Sequence, residues 1–245
     1  MIIGSAKGGV TLPNKNNLSV AIGGGGGGTP AWFEDDYSDA SLWTQDGSEI
    51  NVNSDYADHV GGTNVTQTAT NQRVYRSLPA DLNDALWYMD ITMTTISMNN
   101  HAQLLSPVIS HNNVYAYGAV DLLGIDTIWD GCSAGYDQLR GWCRYFDSGS
   151  GQIYATGVCL PIGTTFYARL QRDSATQATI TMYDDADRTE VTSGFPQVWT
   201  IPSTFGSSSS GTSLNTIQHS NFASGDVRAQ AFKQTDVKIY DDVAP

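Results

Sequence analysis

A chain of 245 residues with 12 Lys plus Arg against 25 Asp plus Glu has a formal net charge of −13, a field that repels phosphate backbones and anionic lipid headgroups. Nucleic acid and membrane surfaces are therefore poor partners, and membrane insertion is not expected because no window approaches the roughly 20 apolar residues that cross a bilayer. Only 15% of residues are charged, so neutral hydrogen-bonding side chains must cover most of the surface, a composition suited to a virion-surface or extracellular β protein.

The first 28 residues stand apart from the rest. Gly8, Gly9 and the unbroken run from Gly23 to Gly28 flank a short extended piece in which Pro13 and several Asn discourage a helix. Six consecutive glycines act as a joint with an r.m.s. reach of about 13 Å. Residues 1–28 are expected to form either a flexible arm that docks the globular body, 29–245, onto a larger assembly and becomes ordered on binding, or a disordered tail. Residues 1–22 lack the continuous apolar run of a secretory signal. The chain is therefore expected either to be a mature form or to leave its cell by another route, for instance inside a virus particle.

From Trp32 onward, short runs with strand periodicity alternate with turn formers. Strands are predicted over 42–44, 50–53, 73–78, 86–98, 103–110, 113–120, 126–130, 139–146, 152–158, 197–201, 214–220, 227–232 and 236–240, and a hairpin over 166–185. The hairpin is the clearest of these. Phe166, Ala168 and Leu170, then Ala178, Ile180 and Met182, recur every second residue, and Asp173 and Ser174 supply turn chemistry between them. DSGSG at 147–151 reads as a second hairpin turn, and the Ser-rich run 206–211 as a surface loop. Many short strands with no helical period predict an all-β antiparallel sandwich or barrel. Cys132, Cys143 and Cys159 are odd in number, so internal pairing is incomplete. A Cys132–Cys143 bridge, contributing about 3 kcal/mol by chain entropy, and three buried reduced thiols are the two expectations.

FEDDYSDASLW at 33–43, YARLQRDSATQATITMYDD at 167–185 and VKIYDD at 237–242 together resemble the concanavalin A-like lectin and glucanase superfamily, of laminin G type. The likeness spans 32–242. It implies a jelly roll of two curved antiparallel sheets with the first and last strands paired, often with glycan binding on the concave face or rim. Similar domains with Gly-rich N-terminal arms and no signal peptide occur in surface and tail proteins of phages and archaeal viruses.

Carboxylates at Glu34, Asp35 and Asp36 stand near the first strand, and Asp241 and Asp242 close the last. Pairing of those strands would bring hard oxygen ligands together, as Ca²⁺ requires, so Glu34, Asp36 and Asp241 are the expected ligands of a structural calcium. The alternative is a solvated acidic edge that deters sheet-to-sheet aggregation. No HxH, HxxxH or CxxC spacing supports zinc.

Glucanases of this superfamily carry a Glu-x-Asp-x-Glu strand whose alternation sets acid and nucleophile on one face. The comparable strand here, 87–92, reads WYMDIT, with Asp90 alone, so that activity is not expected. GCSAG at 131–135 matches the G-x-S-x-G elbow, with Asp184 and His219 following in chain order. An elbow needs a helix next, whereas 136–146 reads as a strand.

From His111 to Tyr154 aromatic residues stand among Asn, Asp, Gln and Arg, the mixture of apolar plates and fixed polar groups that holds a sugar. Within 139–146, Leu139, Gly141, Cys143 and Tyr145 share one face, and Arg140, Trp142, Arg144 and Phe146 the other; the sequence leaves open which is inside. With the second face exposed, Tyr136, Asp137, Arg140, Trp142 and Arg144 are the expected glycan contacts. The resulting expectation is a non-enzymatic, virion-associated structural or adhesion protein with no catalytic residues, forming homo-oligomers. It would bind surface glycans and reach other virion proteins through its arm. A secreted or cell-surface carbohydrate-binding domain is the alternative, and a polysaccharide-degrading glycoside hydrolase the third.

Overall fold

Alternation of apolar and polar side chains along each strand becomes alternation of faces, and two such faces meet in one interior. The computed structural model describes residues 31–46, 50–53, 56–60, 73–82, 86–98, 103–111, 121–128, 132–133, 135–145, 151–202, 205, 214–222 and 230–241. Their regular structure is β1 (Phe33–Asp35), a 3₁₀ turn (Ala40–Leu42), β2 (Thr44–Asp46), β3 (Ile50–Asn53), β4 (Tyr56–Val60), β5 (Arg73–Ser77), β6 (Trp87–Met98) and β7 (Gln103–His111). There follow β8 (Leu122–Ile128), β9 (Tyr136–Tyr145), β10 (Gly151–Tyr154), β11 (Val158–Pro161), β12 (Thr165–Ser174), β13 (Gln177–Tyr183), β14 (Gln197–Thr200), β15 (Leu214–Phe222) and β16 (Gln230–Asp241).

These strands form two eight-stranded antiparallel sheets, an all-β jelly-roll sandwich. Sheet A runs β14-β13-β12-β6-β16-β4-β3 with β1 added against β16; sheet B runs β10-β9-β8-β7-β15-β5-β2 with β11 added against β9. The first and last strands pair as expected, with Phe33 opposite Ile239 and Asp35 opposite Val237. The hairpin of 166–185 is β12–β13, in which Leu170 faces Ile180 and both are completely buried. Each such side chain contributes about 2 kcal/mol through the water it sheds. Between the sheets, a Cβ on Gly141 of β9 would stand 2.2 Å from the Trp199 indole of β14. Glycine is what lets that ring pack across the interior.

The departures from the predicted strands have local causes. The two strands expected at 227–232 and 236–240 are one, β16, whose register shifts at Ala231/Phe232 and Gln234/Asp236 interrupt the period. The strand expected at 152–158 breaks after Tyr154, where β10 ends, and β11 begins only at Val158; the two pair with opposite halves of β9. Leu42 lies in the 3₁₀ turn, whose cap Asp39 accepts from the Ser41 N–H. Too few apolar residues mark β1 and β4 for sequence periodicity to find them. The strand expected at 113–120, the arm 1–28, most of the turn at 147–151 and the loop 206–211 lie outside the described residues.

The expected Cys132–Cys143 bridge is not formed, and three reduced thiols are not present either. Cys132 is joined to Cys159, and Cys143 is a buried free thiol. Pairing of β11 with β9 sets Cys159 opposite Gln138, near the residues that precede β9, whereas Cys143 faces the interior. Burial pushes the Cys143 thiol above its ordinary range. The bridge closes a loop of sequence separation 27, which contributes about 3–4 kcal/mol by chain entropy.

Candidate functional site

The structure settles which side of β9 is inside. Leu139 and Cys143 are 3% and 0% exposed and Gly141 is buried, so Tyr136, Gln138 and Arg140 occupy the opposite, outer face. There Arg140 lies across from Asp126 of β8, and position 142 across from Tyr154 of β10. Arg140 Nε donates to Asp126 Oδ2 at 2.7 Å, and its guanidinium covers one side of the Tyr154 ring, 3.8 Å from the centroid. Asp126 is fully buried, Tyr154 is 37% exposed and Tyr136 43%. The result is an aromatic plate fixed by a cation that is itself fixed by a carboxylate. Tyr136 begins the same face about 13 Å along the strand from Arg140.

Of the expected glycan contacts, Tyr136 and Arg140 are therefore brought to one face. Position 137 pairs in the backbone register with Leu160 of β11. The side chains of Asp137, Trp142 and Arg144 lie outside what the structure describes.

The carboxylates expected to hold calcium find other partners. Glu34 Oε1 is 3.1 Å from Lys238 Nζ, the residue directly across from it on β16. Asp36 accepts from the Ser38 N–H at 2.9 Å, and hydrogen bonds from the Ser38 side chain and backbone hold its carboxyl below the usual value. Asp35 turns inward, accepting from the Tyr37 N–H at 2.7 Å and from Trp43 Nε1 at 3.0 Å and pairing with Arg76. Asp241 ends β16 opposite Trp87. Among the described residues no three His, Cys, Asp or Glu side chains converge as a metal site, and Glu34, Asp36 and Asp241 are not brought together.

A surface that the sequence reading missed lies on the outer face of sheet A. On β6, Met89 and Ile91 join the core while Tyr88, Asp90 and Thr92 alternate outward. Arg169 of β12 stands opposite Asp90 and grips it with both ends of its fork, at 2.7 and 2.8 Å. The same guanidinium lies 4.4 Å from the Tyr88 centroid, and Tyr88 stacks on Tyr240 of β16 at 4.4 Å and 15°. Burial pushes both tyrosines above their ordinary pKa. Arg188, from the loop after β13, reaches the same carboxylate, Nε 3.6 Å from Asp90 Oδ1. The signal was present as the polar half of the hairpin's alternation, Tyr167 and Arg169, but nothing local tied it to Asp90.

The serine elbow is not assembled. β9 follows Ser133 as a strand antiparallel to β8. His219 is completely buried between the sheets with Nε2 3.1 Å from Tyr37 Oη, and burial pushes its pKa down to about 3. Asp184 accepts from Thr192 Oγ1 at 2.7 Å.

No protein-family model matches this chain, and no curated protein sequence does. Among solved structures it is similar to the CBM2 module of the evolved Dit of Lactobacillus casei BL23 phage J-1, with a TM-score of 0.56 and 12% identity over 88% of this chain and 97% of that one. It is also similar to the GH43 protein BlXynB from Bacillus licheniformis, with a TM-score of 0.55 and 13% identity over 85% of this chain but only 39% of that one. A third likeness, with a TM-score of 0.53 and 10% identity over 86% of this chain and 99% of the other, is to a structure from work on endo-acting O-glycanases of the human gut microbiota. What this chain shares with them is the fold, a sandwich of two antiparallel β-sheets.

Proposed function

We propose that this protein is a non-enzymatic carbohydrate-binding module at the surface of a virus particle, and that it holds glycans against the outer face of β9 and β10. The observation that carries this reading is the Asp126–Arg140–Tyr154 arrangement. An exposed ring offers a flat apolar surface to the C–H side of a sugar, and a buried carboxylate fixes the arginine that supports the ring. Such a plate loses little freedom on binding. Tyr136 extends the same face.

The non-enzymatic reading is supported by the state of Asp90. Glycoside hydrolysis needs two cooperating carboxyl groups, whereas both oxygens of Asp90 accept from Arg169 and its nearest described charged neighbours are arginines. Particle association draws support from the neighbour that is a phage Dit module with a carbohydrate-binding designation. In this reading residues 1–28 dock onto a partner protein; in the body, the Trp32 N–H donates to the Ile239 carbonyl at 2.8 Å. Calcium is no part of the proposal, because Lys238 takes Glu34.

A glycan array tests the ligand class: the full chain is expected to give hits that Tyr154→Ala loses while its circular dichroism stays unchanged. Binding that survives Tyr154→Ala and Arg140→Ala together would move the site elsewhere, and reducing-sugar release would make the protein an enzyme. Docking is tested by deleting residues 1–28; unchanged mass by light scattering and unchanged co-sedimentation with particles would remove the arm from the scheme.

A further inference from the structure

Among the described strands, sheet A ends at β14, which pairs with β13. One residue past β14, the Ile201 N–H donates to the Thr176 carbonyl at 2.9 Å. In an antiparallel ladder, residues that exchange hydrogen bonds alternate with residues that do not. Gln197 and Trp199 therefore turn their backbone N–H and C=O groups towards Ile180 and Ala178 of β13, and Val198 and Thr200 turn theirs to the open side. The next residues in that alternation, Pro196 and Pro202, have no N–H.

The side chains along this edge leave it open to pairing. Val198, 56% exposed, and Val191, 47% exposed and bridged to Tyr183, are the two most exposed large apolar side chains among the described residues. Both lie on the outer face, because Thr179 and Tyr183 alternate with the inward residues Ala178, Ile180 and Met182. From Val191 to Gln218 the sequence contains no Asp, Glu, Lys or Arg, the residues that ordinarily protect a sheet edge.

That neutrality selects the partner. Two copies of a chain with net charge −13 repel over most of their surface and approach at least cost where neither is charged. β14 is also complementary to itself. Turned about a two-fold axis at Trp199, it sets Val198 against Thr200 of a second copy, so that each of these residues donates to and accepts from its counterpart. Both valines stay on the outer face, each beside a threonine. Proline at 196 and 202 ends the new ladder on both sides, and an interface of this symmetry closes as a dimer instead of propagating. We infer that β14 is the interface of a two-fold homodimer in which sheet A of one copy continues into sheet A of the next. β9 and β10 belong to sheet B, so failure of the glycan reading would leave this interface standing.

The test is sedimentation velocity of the full chain over a concentration series. The contact is short, so a reversible dimer is expected, its mass rising from one chain towards two. Thr200→Pro removes an open-side N–H from each copy and no hydrogen bond to β13; it is expected to weaken association about thirtyfold, the loss of two hydrogen bonds. Val198→Lys puts a charge on the edge and should abolish association, and both variants should keep the wild-type circular dichroism. Pairing is read separately by mixing Val198→Cys with Thr200→Cys under mild oxidation. The register sets these positions about 5.5 Å apart at Cα, within disulfide reach, so the mixture should cross-link more than either variant alone. A wild type that keeps the mass of one chain into the millimolar range would overturn the inference. So would a dimer that survives Val198→Lys undiminished, or one in which the mixed cysteine variants cross-link no better than each by itself.

Discussion

The β12–β13 hairpin and the corner formed by residues 33–43 both close the sandwich, with opposite chemistry. In the hairpin every inward residue from Phe166 to Leu170 and from Ala178 to Met182 is apolar and at most 5% exposed. The corner is closed by polar and aromatic groups, each engaged with another. Asp35 holds Arg76 and the Trp43 indole N–H, Trp43 stacks on Tyr37 at 5.2 Å, and Tyr37 meets His219. Apolar closure depends on volume and is indifferent to proton concentration, whereas the polar network fails when one member is removed or charged.

That contrast can be broken from either side. The largest expected effect is in the hairpin: Leu170→Ala should cost about 3–4 kcal/mol in urea unfolding, by the same amount at pH 7 and pH 5. In the corner, Asp35→Ala should cost about 3 kcal/mol, because it strands Arg76 and leaves the Trp43 and Tyr37 N–H groups without an acceptor. A larger loss for Asp35→Ala than for Leu170→Ala would invert the comparison.

The next effect sharpens the contrast through pH. Burial pushes the pKa of His219 from the usual 6.5 to about 3, so below pH 6.5 the unfolded chain binds a proton that the folded chain refuses. Stability is therefore complete above about pH 6.5 and falls as the pH drops towards 3, by about 1.4 kcal/mol per pH unit. Asp36, Asp39 and Asp185, held below the usual carboxylate value by hydrogen bonds, add their loss only below about pH 4. The interval from 6.5 to 4.5 thus isolates the histidine, and His219→Gln should flatten the slope of unfolding free energy measured there. An unchanged slope would place the proton elsewhere. The smallest effect is expected at the exposed Lys238–Glu34 pair, where Lys238→Ala should change stability by less than about 0.5 kcal/mol.

The same contrast explains what was legible in the sequence. The hairpin could be read because period-two alternation is local. The corner could not, since Tyr37 and His219 are 182 positions apart and Asp35 and Arg76 are 41, and no short-range pattern encodes either contact. Asp90 and Arg169, 79 positions apart, hid the sheet A surface in the same way. On β9 both faces carry large residues, so alternation gave two candidate faces and no choice between them. The Trp199 ring packed on Gly141 made the choice, which left Arg140 free to meet Tyr154. The calcium ligands failed to converge for a related reason: strand pairing was foreseeable, but the register that sets Lys238 against Glu34 was not.

Hydrogen–deuterium exchange on the full chain, with and without a saturating glycan identified on the array, tests the β9 site most directly. Slowed exchange in peptides spanning 136–145 and 151–154 is the expected result. Binding that leaves both segments unprotected would contradict the assignment of the glycan to the outer face of β9 and β10.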